Sequence, residues 1–141
     1  MTLFVDTSVW SLALRRDEQA EQPEVHALKE ALAGSDVVVI TGLVLQELLQ
    51  GFSGPKAALS IVERLSSLAL IQPERADHIA AAELRNTCRR GGVQIGTVDA
   101  LIAQLCIAND LTLLTTDLDF THASKHCKLK LWSSKVISKR S

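Results

Sequence analysis

The chain reads as an α/β domain, a three-layer α/β/α sandwich around a mainly parallel central sheet of four to five strands. Three observations predict it. Five short runs rich in Val, Ile and Leu recur along the chain, mostly without the polar alternation of a half-exposed strand, so both faces of the sheet must be covered. Helical patterns separate these runs, the arrangement that gives parallel strands with helices packed on them. Hydrophobic residues make up 47% and charged residues 22% of 141 residues, which suits one compact domain with its own core and excludes a disordered or coiled-coil chain. Residues 1–132 are assigned to this domain, and 133–141 to a weakly ordered basic C-terminal tail.

The first run is Thr2 to Val5. The polar stretch Asp17 to Glu24, interrupted by Pro23, is expected to be an exposed connection. His26 to Ala33 follows as a short amphipathic helix closed by Gly34, the residue type that tolerates the left-handed conformation after a helix end. Val37 to Ile40 is the second strand. Thr41 is placed to N-cap the next helix, which carries Leu45, Leu48, Leu49 and Phe52 on one face. Gly54-Pro55 restarts a helix, with Pro55 where its missing N–H costs nothing. Leu68 to Ile71 is the third strand, and a helix over Asp77 to Arg90 ends at Gly91-Gly92. Thr97 is expected to cap a helix through Asn109 whose buried stripe is Val98, Leu101, Ile102 and Leu105. Leu111 to Leu114 and Leu129 to Trp132 complete the strands.

All 16 acidic residues lie at or before Asp119, whereas six of the 15 Lys and Arg residues follow it, so the net charge of -1 conceals an acidic body and a basic end. A basic end can draw phosphates toward carboxylates that would otherwise repel them, or can serve only as a solubilising tail. Three cysteines, Cys88, Cys106 and Cys127, are odd in number and lack Cys-x-x-Cys spacing, which argues against a disulfide framework or zinc ribbon and for a reducing, cytoplasmic compartment. Met1 to Val5 is too short for a signal h-region, and no apolar run approaches the roughly 20 residues of a membrane span. No membrane partner is expected.

Four acids stand where apolar stretches meet turns or helices: Asp6 after Leu3-Phe4-Val5, Glu47 within Leu43 to Leu48, Asp99 after Thr97-Val98, and Asp117 after Leu113 to Thr116. Asp6 and Asp117 fall at the carboxyl ends of strands, where ligands collect in open parallel sheets. At about 100° per residue, Glu47 borders its helix's apolar face beside Leu43 and Gly51, and Asp99 borders its own beside Ala103 and Cys106. Each acid alone has an ordinary explanation: Asp99 complements a helix dipole, Asp6 or Asp117 caps the segment after it, and Glu47 pairs with a surface cation. Oxygen ligands grouped without histidine or cysteine suit Mg²⁺ or Mn²⁺, and such ions assist phosphodiester hydrolysis.

With these residues in order, the chain resembles a PIN-domain ribonuclease, and in size the VapC-type toxins of toxin–antitoxin pairs. Phe4-Val5-Asp6-Thr7-Ser8-Val9-Trp10 is similar to the opening motif, Leu45 to Gly51 to the glutamate helix, Thr97 to Ala103 to the third motif and Leu113 to Phe120 to the fourth. The resemblance implies an endoribonuclease dependent on Mg²⁺ or Mn²⁺, with Asp6, Glu47, Asp99 and Asp117 as catalytic and metal-binding residues, Asp6 and Asp99 being the strongest ligands. It implies that Thr115 orients a water or phosphate, and that Asp119 is a fifth acid ranked behind the four. It further implies an RNA substrate, a cognate antitoxin protein and a homodimer. An arginine from the antitoxin would inhibit by pairing with the acidic pocket.

Two other classes compete: a catalytically silent module of the same fold that holds a protein or RNA, and a phosphoacceptor receiver domain. The second expects an acidic pair after the first strand and an aspartate after the third, where this chain has Asp6 alone and Gln72-Pro73. His122, His126 and Cys127 could share a zinc ion on a helix, but a closed site needs more ligands than lie nearby. His26 and His78 read as surface residues. Ser8 and Ser11 lack a nucleophile elbow, and no phosphate-binding glycine loop is present. Arg15-Arg16, Arg89-Arg90 and the terminal lysines could contact phosphates or cap helices. Trp10 and Trp132 could stack on bases, though their places beside strands point first to packing.

Overall fold

The computed structural model describes residues 1–15 and 22–134. Five parallel strands form one sheet in the order β3-β2-β1-β4-β5, with β1 Thr2–Val5, β2 Val37–Thr41, β3 Ala69–Ile71, β4 Thr112–Leu114 and β5 Lys130–Leu131. All five expected strands are present. β1 is central and pairs on both sides, Phe4 lying opposite Val39 of β2 and Leu113 of β4. Leu3, Phe4 and Val5 are therefore all buried, as a non-alternating apolar run requires.

Among the described residues the helices are α1 Thr7–Leu14, α2 Pro23–Ala33, α3 Gly42–Gly51, α4 Pro55–Leu65, α5 Arg75–Arg90, α6 Thr97–Ala108 and α7 Leu118–Ala123. The chain builds outward from β1 to β3, then crosses back to β4 and β5. Right-handed crossovers put helices from those two directions on opposite faces. Contacts agree: α1 packs on α2 and α3, and α3 on α4, whereas α5 packs against α6. The main core joins the sheet to both layers, and Ala81, Leu101 and Leu105 form a smaller cluster where α5 meets α6. None of these helices is long and apolar enough to cross a membrane.

Several local expectations are corrected. Pro23 opens α2 at its first turn instead of interrupting a loop, because a proline at that position loses no hydrogen bond. The remainder of the expected connection, residues 17–21, lies outside the described residues, as do Arg16 and the tail from residue 135. Gly34 closes α2 as expected and does so with extended backbone (φ -105, ψ -152), so its left-handed freedom is not used; a Cβ there would meet Glu30 O at 3.1 Å. Gly96, not Thr97, is the N-cap of α6, so Thr97 begins the helix and Asp99 becomes its third residue. Val98 is exposed, and the buried face of α6 is Ala100 to Ala103 with Leu105 and Cys106. Thr41 caps α3 as expected, accepting from Val44 N at 3.2 Å. Trp10 is buried in the core cluster and so is out of reach of any base.

Candidate active site

Strand order reverses between β1 and β4, the switch point at which an open parallel sheet forms a crevice beyond the carboxyl ends of its strands. Val5 pairs with Leu114, so the chain leaves both strands side by side, and Asp6 N donates to Leu114 O at 3.0 Å. Asp6 then occupies the N-cap position of α1, but its carboxylate caps no backbone group of that helix. It is 6% exposed, and a carboxylate that deep must find donors.

The donors are two hydroxyls. Ser8 Oγ and Thr115 Oγ1 each donate to Asp6 Oδ2 at 2.9 Å. Each hydroxyl also accepts a backbone N–H from the loop after β4: Thr116 N donates to Ser8 Oγ at 3.1 Å, and Asp117 N donates to Thr115 Oγ1 at 3.0 Å. Two relays thus pin that loop onto the end of β1 and saturate one oxygen of Asp6. Its other oxygen has no hydrogen bond among the described residues.

Asp117 stands at the N-cap of α7, its Oδ1 accepting from Asp119 N at 2.9 Å. This short turn folds Asp119 back beside Asp117. Asp99 reaches the same place from the first turn of α6. Ligand oxygens of Asp99, Asp117 and Asp119 all lie within 4.8 Å of one another, the only such group of three among the described residues. Glu47, exposed on α3, is held at the site by Thr7, whose Oγ1 donates to Glu47 Oε1 at 2.8 Å.

Charge binds the set together. Asp99 is pushed up to about 6, first by burial and then by the negative charges of Asp6, Asp117, Glu47 and Asp119. The structure therefore brings all four sequence-selected acids to one site, and Asp119 with them. The tight triad, however, is Asp99, Asp117 and Asp119, while Asp6 and Glu47 are tethered by hydroxyls at its edge. Sequence reasoning considered Ser8 only as a nucleophile and passed over Thr7; both hydroxyls sit directly after Asp6 in the opening motif, which was the available signal. Behind Asp6, burial first and Asp6 second push the Cys106 thiol up to about 12, so this wall of the site is neutral.

An all-oxygen donor set with unrelieved negative charge fits a hard divalent cation. Among the described residues His122, His126 and Cys127 form no such group, and the His126 ring instead lies against Gly91, where an added Cβ would collide with it. Two cavities open on the surface, and one of them borders the acids. One, ≈ 430 Å³, touches Thr115, Thr116 and Asp117 and extends to Trp132. The other, ≈ 1060 Å³, lies between α1 and α4 and includes Arg15, Lys56 and Arg64 in its lining.

The family model of the PIN domain matches residues 3–126. Among solved structures, a chain of VapBC2 from Rickettsia felis bound to a DNA fragment from its promoter is similar over 94% of this chain and 100% of that chain, with 25% identity and a TM-score of 0.74. VapBC-1 from nontypeable Haemophilus influenzae matches at 17% identity and a TM-score of 0.72, covering 94% of this chain and 98% of that one. Mycobacterium tuberculosis VapC20, a sarcin-ricin loop cleaving toxin, matches at 22% identity and a TM-score of 0.65, covering 90% and 98%. No curated protein sequence matches the chain.

Proposed function

The chain belongs to the PIN domain family, and from that premise we propose that it is an endoribonuclease dependent on Mg²⁺ or Mn²⁺ and the toxin of a toxin–antitoxin pair. The observation that carries this reading is Asp99, on which the charges of Asp6, Glu47, Asp117 and Asp119 all bear at the β1/β4 crevice. Evolution of a fold toward stability alone would not gather five carboxylates there, since each raises the cost of ionising the others. The resemblance of the chain to VapC20, a sarcin-ricin loop cleaving toxin, supports RNA as substrate, and its resemblance to chains of VapBC structures supports an antitoxin partner.

In this reading Asp99, Asp117 and Asp119 would hold the ion, with Asp6 beside them as a further oxygen ligand. When bound, the ion supplies a more acidic water and a polarised phosphoryl oxygen. Ser8 and Thr115 keep Asp6 in one rotamer, so the carboxylate is oriented before the ion arrives. Thr7 holds one oxygen of Glu47 and leaves the other to accept a proton from water entering the crevice. Arg15, Lys56 and Arg64 share the lining of the cavity between α1 and α4, a cluster of positive charge that would attract an RNA backbone. We assign the same chain a homodimeric state and a reducing, cytoplasmic setting, consistent with three free cysteines of which two are buried. An antitoxin arginine entering the acidic notch accounts for inhibition.

The test is cleavage of single-stranded and loop RNA in Mn²⁺, followed by sequencing of the ends. The expected products carry 5′-phosphate and 3′-hydroxyl ends, EDTA stops the reaction, and Asp6→Ala abolishes it while circular dichroism stays native. Undiminished cleavage in EDTA, or by Asp6→Ala, overturns the assignment.

A further inference from the structure

The smaller cavity borders the acidic triad, because Asp117 belongs to both. Topology makes it so. β5 is the parallel neighbour of β4, with Leu131 opposite Leu113, and Trp132 N donates to Leu113 O at 2.9 Å. Trp132 is thus fixed at the same end of the sheet as Thr115 and Asp117, one strand over. Leu12 of α1 and Leu131 supply further apolar wall, and Glu24, in the first turn of α2, supplies a carboxylate.

Three features identify what such a cavity takes. Its ≈ 430 Å³ falls within the roughly 300–1,000 Å³ of small-ligand sites, enough for one nucleotide unit and too little for a helix. Among the described residues that line it there is no lysine or arginine, whereas Glu24 and Asp117 are there, a lining that disfavours a phosphate and suits an uncharged ring. It carries an aromatic side chain, and every base has a face that stacks on one.

We infer that this cavity is a nucleobase pocket that seats one base of the RNA beside the scissile phosphate, stacked on Trp132, with Glu24 selecting guanine. The inference rests on the ribonuclease reading above. An ionised carboxylate only accepts hydrogen bonds. Guanine alone presents two adjacent N–H donors, N1–H and the N2 amino group, on its pairing edge. Adenine and cytosine place a ring-nitrogen acceptor beside their amino group, and uracil flanks its N–H with two carbonyls, so a carboxylate meets lone pairs in all three. The phosphate then extends from the pocket past Asp117 to the triad.

The experiment measures binding of short fluorescent RNAs, identical but for one base, to the full chain in Ca²⁺ by anisotropy, beside cleavage in Mn²⁺. The wild type is expected to prefer the guanine oligonucleotide at least about tenfold. Trp132→Ala should weaken every oligonucleotide by about 5- to 150-fold, the range of one lost base stack, with Mn²⁺ affinity unchanged. Trp132→Phe should recover most of that loss, and Glu24→Gln should flatten the base preference while leaving stacking in place. Should Trp132→Ala fail to fold, quenching of tryptophan emission by RNA in the wild type and its loss in Trp132→Phe, which leaves only the buried Trp10, carries the same information. Equal affinity and base preference in wild type, Trp132→Ala and Glu24→Gln overturns the pocket even if cleavage is intact. Base-selective binding that Trp132→Ala destroys upholds the pocket even if no cleavage occurs, in which case it is the catalytic reading that fails. Absence of any RNA binding by the wild type overturns both.

Discussion

Thr115 Oγ1 donates to Asp6 Oδ2 across 109 residues of chain, at 2.9 Å. The bond joins the two strand ends that flank the switch point, and the same hydroxyl accepts from Asp117 N. One threonine therefore fixes the orientation of the buried acid and the start of the loop that carries Asp117 and Asp119.

Thr115→Val keeps the volume and removes both bonds. It is expected to lower stability by about 1–2 kcal/mol, since Asp6 and the Asp117 amide each lose a partner. Mn²⁺ affinity or cleavage rate should fall about 10- to 100-fold, the usual cost of losing an outer partner of a metal ligand. Urea denaturation and initial rates check the two effects separately; wild-type values for both would show that Ser8 alone orients Asp6.

Asp119 and Glu47 should differ. The oxygens of Asp119 lie within 4.8 Å of those of Asp99 and Asp117, whereas Glu47 sits at the edge on its Thr7 tether. Asp119→Asn is therefore expected to weaken Mn²⁺ binding more than Glu47→Gln, while Glu47→Gln lowers the cleavage rate more than it lowers metal affinity. The reverse order in a calorimetric comparison would return Asp119 to the secondary rank that motif resemblance assigns it.

Asp99 makes the metal-free protein pH-sensitive. Its carboxyl titrates at about 6 in the fold against 3.8 for the ordinary group, so between those values the folded state holds more protons than the unfolded chain. Its stabilising contribution is complete below about 4 and is lost as pH rises through about 6. Asp99→Asn removes that loss and should stabilise the metal-free protein at pH 7 by on the order of 1–2 kcal/mol, after allowance for partial exposure. Because a cation competes with this proton, Mn²⁺ affinity should climb across the same interval. Denaturation at pH 4.5 and pH 7.5 with EDTA, in wild type and variant, would expose the error if the variant shows the same pH slope as the wild type.

Gly91 closes α5 against the His126 ring. Gly91→Ala must displace that ring and is expected to cost about 1–2 kcal/mol. The cost should vanish in a His126→Ala background, which a double-mutant cycle of thermal or urea unfolding measures. An unchanged cost in that background would place the strain elsewhere.

The strands were legible because buried parallel strands need unbroken Val, Ile and Leu, and all five such runs became strands. The eight residues of α1 were not, because Thr7–Leu14 carries no capping side chain and reads as another apolar run. Pro23 misled because the same residue breaks a helix interior and favours a first turn. Thr97 competed with Gly96 for one cap, and the extended backbone of Gly96 decided it. At the site, the acids could be named from their positions at strand and helix ends. The hydroxyl relays through Ser8 and Thr115 could not, since their geometry exists only once strands more than a hundred residues apart are paired.

The most direct test is a calorimetric titration of Mn²⁺ into the metal-free protein at pH 7.5, with Asp99→Asn and Asp117→Asn beside the wild type. The wild type is expected to bind the ion, and each variant to lose more than the about 10- to 100-fold that an outer partner costs, with its fold intact. Equal Mn²⁺ affinity in all three proteins would contradict the claim that the carboxylates at the β1/β4 crevice form a cation site.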